Sequence, residues 1–398
     1  MARGPRGRIC VVRQYFVPLD ARVHREVTAL AEAGYAVDVV CQRAKGERIR
    51  ESQGAVRYLR LPVPRLRGGS PVLQLLEYFL FFTAAATLVT VRHLRRRYHV
   101  VQVNTVPDVL VFAAVVPRLL GARVVLDLHE TMPEFFSSKF GVALDHPGPR
   151  LAGKLEQASI RFADAAITVT DPMKEAFEAR GADHDAIEVV LNGPDERIWD
   201  ARRFPRRASY GEFHLISHGS LEDRYGVDTM IRAISLLADE LPGLRLKVYG
   251  DGSARRRLRE LSAALGVNDR VWFSEGFVPI DEVVRAVAEA DAGVVAMKRD
   301  VFRDLTLATK MYEYIAMRKP TIVGRTRSVE VYFDGAAFAL FESDDPVDLA
   351  RAIREVAADP ARRRTMVDEA VRQGQAHRWP PNRDRYLSVI EACIASRG

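Results

Sequence analysis

The sequence predicts an α/β fold of two domains, each built on a parallel sheet, and three observations point there. A chain of 398 residues has room for two cores of ordinary size. In both halves, short apolar runs alternate with amphipathic stretches of helical period, which is the β-α-β rhythm of a parallel sheet. Glycine-containing or ionisable loops follow several of these runs, at the carboxyl ends of strands where open α/β sheets bind ligands. Hydrophobic content of 48% with 28% charged residues suits a soluble globular enzyme rather than a disordered chain.

Ile9-Cys-Val-Val12 opens the first half as a buried strand, followed by a loop over 13–20 and a helix with apolar Val23, Val27, Leu30 and Ala31. Gly34 ends that helix and Val37-Asp-Val-Val40 is the next strand. The first loop lacks Gly-x-Gly-x-x-Gly, so a dinucleotide site loses ground. Asp20, Arg22, His24 and Arg25 could meet an acceptor or a phosphate, or could be surface residues of the helix. Val72 to Val91 is mostly apolar and, at about 20 residues, long enough to cross a bilayer. Gln74, Glu77 and three threonines interrupt it, which favours a buried helix of the first domain over a helix dipping into a membrane surface or a true span.

Val100 to Val103 and Arg123 to Asp127 are further strands, separated by Asn104-Thr-Val-Pro-Asp108 and an apolar helix. The second runs into Leu128-His129-Glu130-Thr-Met-Pro133-Glu134, where ionisable groups crowd the end of a buried strand and mark His129 and Glu130 as site candidates. Ala165 to Thr170 is a strand, and Asp171-Pro172 reads as a cap followed by proline. The turn Asn192-Gly193-Pro194-Asp195 comes next, and the basic, polar stretch 202–211 reads as the linker.

The second half opens with Phe213 to Ser217 and the loop His218-Gly219-Ser-Leu-Glu-Asp-Arg224-Tyr-Gly226. Glycines there let backbone N–H groups approach phosphate oxygens, and Arg224 adds a cation. Strand 244–248 ends in Tyr249-Gly250-Asp251-Gly252, and strand 271–273 ends near Gly276-Phe277-Val278. The second half is organised around 304–324. Leu307, Met311, Tyr314 and Ile315 share one stripe of a short helix over about 308–317, with Lys310 and Glu313 off that stripe. A helix start suits a phosphate, and a carboxylate one turn further in can accept hydrogen bonds from ribose hydroxyls. The same two residues could equally be solvated on an ordinary amphipathic helix. Helices over 346–357, 359–373 and 379–395 close the chain.

Charge is shared unevenly: residues 1–211 carry 31 Lys and Arg against 23 Asp and Glu, the rest 28 against 29. A basic first half would suit an anionic membrane surface or a phosphorylated carrier. Nucleic acid is disfavoured, because no helix-turn-helix, RNP-like or zinc-finger pattern accompanies the arginines. Cys10, Cys41 and Cys393 have no metal-ligand spacing and make no disulfide framework, which suits a reducing cytosol. The basic start lacks the apolar core of a signal peptide, so a cytoplasmic protein is expected, resting on the inner face of the membrane in one reading.

Lys310-x-x-Glu313-Tyr314-x-Ala316-x-x-Lys319-Pro320 resembles the end of the nucleotide-sugar signature of retaining GT-B glycosyltransferases of family four. The first of that signature's two glutamates falls on Leu305, with Asp304 one place away. The His129-Glu130 loop with Pro133-Glu134 and the Asn192-Gly193-Pro194-Asp195 turn resemble motifs of the same family, and Arg224 stands beside a slot where the family carries a cation. The resemblance implies two Rossmann-like domains facing a central cleft. It places the acceptor on 1–205, the nucleotide sugar on 206–375, and a helix over 376–398 crossing back to the first domain. It implies transfer of a sugar from a nucleotide diphosphate donor, with retention and without a metal or other cofactor, to a sugar, lipid-linked or natural-product acceptor. Arg224 and Lys310 would then face the leaving diphosphate, and His129, Glu130 and Asp304 the donor sugar. Gly219, Gly250, Gly252, Phe277, Val278, Leu307, Ala308, Thr309 and Glu313 would hold the nucleotide. A nucleotide-sugar epimerase and a catalytically silent membrane-surface protein are the rival readings.

Overall fold

The computed structural model describes residues 5–17, 19–66, 71–204 and 211–396. It divides into two units: residues 1–191 with 380–398, and residues 192–379. The division falls at 191/192, ahead of the linker expected over 202–211, of which 205–210 lie outside the described residues. Residues 192–204 pack with the second unit through Trp199, which is buried among Val284, Val287 and Tyr314.

The first unit carries eight strands: β1 (Arg8–Phe16), β2 (Ala36–Gln42), β3 (Arg50–Gln53), β4 (Val56–Leu61), β5 (Val100–Asn104), β6 (Arg123–Leu128), β7 (Ala165–Thr168) and β8 (Ile187–Val189). They form one sheet in the order β3-β4-β2-β1-β5-β6-β7-β8. All neighbours are parallel except β3, which pairs antiparallel with β4. Strands β1, β2 and β5 are apolar over most of their length because helices cover both faces of such a sheet. The antiparallel hairpin β3–β4 carries charged residues, and no apolar run announces it. The order reverses between β1 and β5, so the loops after those two strands open at a topological switch point.

The second unit carries β9 (Phe213–His218), β10 (Leu244–Tyr249), β11 (Val271–Phe273), β12 (Ala292–Val295), β13 (Thr321–Gly324) and β14 (Ala339–Phe341), wholly parallel in the order β11-β10-β9-β12-β13-β14. Its switch point lies between β9 and β12. Two Rossmann-like α/β units are therefore present, as the alternating rhythm predicts.

Two helices differ from the sequence reading, and the last helix is held by the first unit's own residues. The helix after β7 is capped by Thr170, whose side chain accepts from the Met173 amide, and Asp171 is its first residue. The helix Trp379–Ala395 packs on the first unit: Asn382 accepts the Leu191 amide at 2.8 Å, and the Tyr386 hydroxyl donates to Gln102 at 2.6 Å. The largest departure is the helix Pro71–Arg96, expected to be buried. Only a narrow stripe with a repeat of four, Glu77, Phe81, Ala85, Val89 and His93, faces the core. Apolar composition alone does not distinguish a helix with partners all round from one with a partner on a single side.

Candidate active site

In the second unit the site is assembled at the switch point. The helix Thr309–Ala316 starts there without a side-chain cap, and uncapped first amides are a site that suits an anion. Its direction is fixed by Tyr314, fully buried, whose hydroxyl donates to the Ile216 carbonyl at 3.1 Å and whose ring lies flat against Gly293. A Cβ at Gly293 would come within 2.5 Å of that ring, so the glycine in β12 is what lets the helix seat. The buried stripe is Met311, Tyr312 and Tyr314, while Leu307, Ala308 and Ile315 are partly buried beside it. Tyr312, which the periodicity did not single out, is held by His377 at 3.2 Å.

Lys310 and Glu313 consequently project at the end of β9. The Lys310 ammonium lies 5.2 Å from the centre of the Tyr225 ring, and the Arg224 guanidinium lies 5.2 Å from the same centre. Two cations thus converge around one aromatic ring beside Gly219, whose Cβ position is 3.7 Å from the Lys310 ammonium. Burial brings Lys310 down to about 8, against the pull of Glu313. The Arg224 carbonyl accepts the Lys298 amide at 2.9 Å, which ties the loop to the end of β12.

The glycines act by close approach. Gly219 has φ +121° and Gly250 φ +137°, and a Cβ on Gly250 would collide with the Gly219 carbonyl. A side chain on Gly252 would meet the backbone of Leu221. The Gly219 amide donates to the Tyr249 carbonyl and the Leu221 amide to the Asp251 carbonyl, both at 2.9 Å. These two amides therefore stitch the loop to β10, and the phosphate-facing role expected of Gly219 reduces to bringing the loop close. At the end of β11 Phe277 is 73% exposed, whereas Val278 is packed against the helix cluster.

Two features, His218 and Arg255, escaped the sequence, and a third residue, Asp304, was expected at the donor sugar. His218 lies with Nε2 3.2 Å from a Glu313 carboxylate oxygen, its ring stacked on Trp199 and edge-on to Tyr314. Burial and the nearby Lys310 push it down to about 3, so it is neutral at pH 7. A lone histidine ending a strand carried no signal. Arg255 donates to the Gly250 carbonyl at 3.1 Å and to that of Ser274. The basic run 255–257, just after Gly250-Asp-Gly252, was its signal. Asp304 sits on the turn Arg303–Leu305, and its carboxylate is clasped by Arg299 at 2.8 and 2.9 Å and accepts the Arg327 amide at 3.1 Å. None of those contacts involves Arg224, Lys310 or Glu313.

In the first unit His129 follows β6 at the edge of a buried polar network. Its Nε2 is 2.8 Å from the Asp127 carboxylate, and its amide donates to the Thr105 hydroxyl at 3.0 Å. Asp127 is fully buried and also receives Arg22 at 2.8 and 3.2 Å and Asn104 at 2.7 Å. Arg22 further contacts Glu26 at 3.1 Å, and Gln102 and Asn104 donate to Glu26. Burial beside Asp127 pushes Glu26 up to about 8, while Arg22 and His129 hold Asp127 well below the usual carboxylate range against the cost of burial. Asp127 holds Nε2 of His129 and so leaves Nδ1 as the ring's other polar atom. Of the early candidates, Arg22 enters this network and Asp20 caps the helix Ala21–Glu32 while pairing with Arg13 at 2.8 Å. Glu130 neighbours Tyr78 and the buried Asp108, and Glu134 pairs with Arg180 at 2.7 Å.

Two Rossmann-like units, with two cations and an uncapped helix start at the switch point of the second, define the GT-B class. Residues 19–193 match the glycosyl transferase 4-like domain, and residues 212–359 match glycosyl transferases group 1. A D-inositol 3-phosphate glycosyltransferase of Geodermatophilus obscurus is 26% identical over 264 residues, covering 62% of this chain and 57% of that protein. A GDP-mannose-dependent phosphatidylinositol monomannoside mannosyltransferase of Mycolicibacterium smegmatis is 28% identical over 213 residues, covering 51% of this chain and 56% of that protein. The chain thus spans little more than half the length of these two relatives. The structure of Anabaena HepE with UDP and glucose superposes with a TM-score of 0.72 at 17% identity, covering 97% of this chain and 99% of that one. The chain belongs to the group 1, 4-like glycosyltransferases.

Proposed function

We propose that the chain transfers a sugar from a nucleotide diphosphate sugar to an acceptor with retention at the anomeric carbon. The observation that carries this reading is the convergence of Arg224 and Lys310 on Tyr225 beside the uncapped start of the helix Thr309–Ala316. Cleavage of a sugar–phosphate bond builds negative charge on the departing diphosphate, and preorganised cations and helix amides stabilise that charge more in the transition state than in the ground state. These two side chains supply the charge that a metal supplies in other transferases, so the reaction is expected to proceed in the presence of a chelator. Glu313, whose carboxylate lies 3.2 Å from His218 Nε2, accepts the ribose hydroxyls. His129, oriented by Asp127, holds a hydroxyl of the donor sugar.

The acceptor is proposed to be lipid-carried, supported by the phosphatidylinositol-linked substrate in the name of one relative and by the apolar surface of the first unit. The site of action is the cytoplasmic side of the membrane, which suits three buried free cysteines. Glu313→Ala tests the nucleotide assignment. It is expected to weaken nucleoside diphosphate binding by about tenfold, the cost of hydrogen bonds to a charged group, with the fold retained. Unchanged affinity by calorimetric titration would remove the ribose role.

A further inference from the structure

We infer that the first unit rests on an anionic lipid bilayer through the outer face at the start of the helix Pro71–Arg96 and the helices beside it. Val72, Leu75, Leu76 and Phe79 are 71%, 66%, 44% and 62% exposed. They stand on the side of the helix opposite its buried stripe, so one face presents four large apolar side chains over about two turns. The helix has a single carboxylate, Glu77, and it is turned inward, accepting from Gln42 and from the Leu66 amide, each at 2.9 Å. No acid therefore faces outward on this helix. Soluble proteins seldom leave apolar groups so concentrated without a partner.

The surroundings select the partner. The Gln74 side chain meets the Lys139 ammonium at 3.5 Å, which sets the helix Met132–Phe140 beside this face. Lys139 lies over the ring of Phe140, itself 48% exposed. Just beyond, Leu144, Arg150 and Lys154 line one groove. The acids Glu134 and Glu156 nearby are both turned onto Arg180, leaving Asp145 as the exposed carboxylate between these helices. Exposed leucines and phenylalanines mixed with exposed lysines and arginines match the apolar boundary and the negative headgroups of a bilayer. Tyr78, on the same helix, feels the charge of Glu130 in the loop that carries His129, so the lipid-facing end adjoins the candidate sugar-binding loop. This deepens the proposed lipid-carried acceptor, while vesicle binding and sugar transfer remain separate measurements.

Co-sedimentation of the whole chain with vesicles of phosphatidylcholine alone, or mixed with phosphatidylglycerol, tests the inference. The protein is expected to sediment with the mixed vesicles at low salt and to be released by added salt. The double variant Leu75→Ser, Phe79→Ser is expected to bind at least ~10-fold more weakly, with unchanged circular dichroism. The variant Lys139→Glu, Lys154→Glu is expected to lose the preference for phosphatidylglycerol. Failure of the wild-type protein to sediment with either vesicle, or equal binding by the apolar variant, would overturn it. So would analytical ultracentrifugation showing a dimer that Leu75→Ser, Phe79→Ser dissolves, because a second copy of the chain would then be the occupant.

Discussion

Alanine at position 310 is expected to lower turnover by about 100-fold, close to 2.7 kcal/mol of transition-state stabilisation. Lys310 is the cation on the helix start itself, beside Gly219 and over Tyr225, and Arg224 at the same ring remains to hold part of the diphosphate charge. The loss should therefore fall mainly on kcat, with a smaller change in donor affinity. The pH profile gives an independent check. Burial lowers the Lys310 ammonium to about 8, so the free enzyme is charged there at pH 7 and loses that charge as pH rises through 8. The donor's kcat/KM is expected to fall across that window, and Lys310→Arg, whose guanidinium stays protonated, should remove the alkaline limb. Full turnover in Lys310→Ala would take the leaving group away from this lysine.

Arg22→Ala is expected to destabilise the first unit by about 3–5 kcal/mol, the cost of leaving buried charge without its partner. The guanidinium neutralises the fully buried Asp127 carboxylate, contacts the Glu26 carboxyl, which burial keeps largely protonated at pH 7, and also donates to the Val190 carbonyl at 3.0 Å. Its removal leaves Asp127 with Asn104 and His129, and Glu26 with the two amides of Gln102 and Asn104. The effect should be local. Trp199 and Trp272 lie within the second unit and Trp379 at its boundary with the helix of the first, so the main tryptophan-fluorescence transition in urea should be unshifted. Hydrogen exchange in β1, β5 and β6 should accelerate by a factor of about 100 or more. Equal exchange in wild type and variant would mean that the network relaxes without Arg22.

The parallel sheets and the helix carrying Lys310 and Glu313 were legible because each depends on local pattern: apolar runs bounded by glycine or proline, and a stripe of three and four. The buried pair of Arg22 and Asp127 was not, since its members are 105 residues apart and each alone looks like a surface charge. His218 gains its meaning from Trp199 and Tyr314, which only the folded second unit brings to it. Asp304 was marked by proximity to a signature in sequence, whereas its carboxylate belongs to Arg299 and the Arg327 amide. The helix Pro71–Arg96 was misjudged because hydropathy records how apolar a segment is and not how many sides of it are covered.

Thermal unfolding of the wild-type protein with UDP, GDP, dTDP or ADP tests the cradle of Arg224, Lys310 and the helix start most directly, since a ligand that binds the folded form raises the midpoint by mass action. At least one of the four diphosphates is expected to raise the midpoint, its monophosphate to raise it less, and Lys310→Ala to shrink the difference between them. No rise with any diphosphate at millimolar concentration would contradict the assignment of the second unit as the nucleotide site.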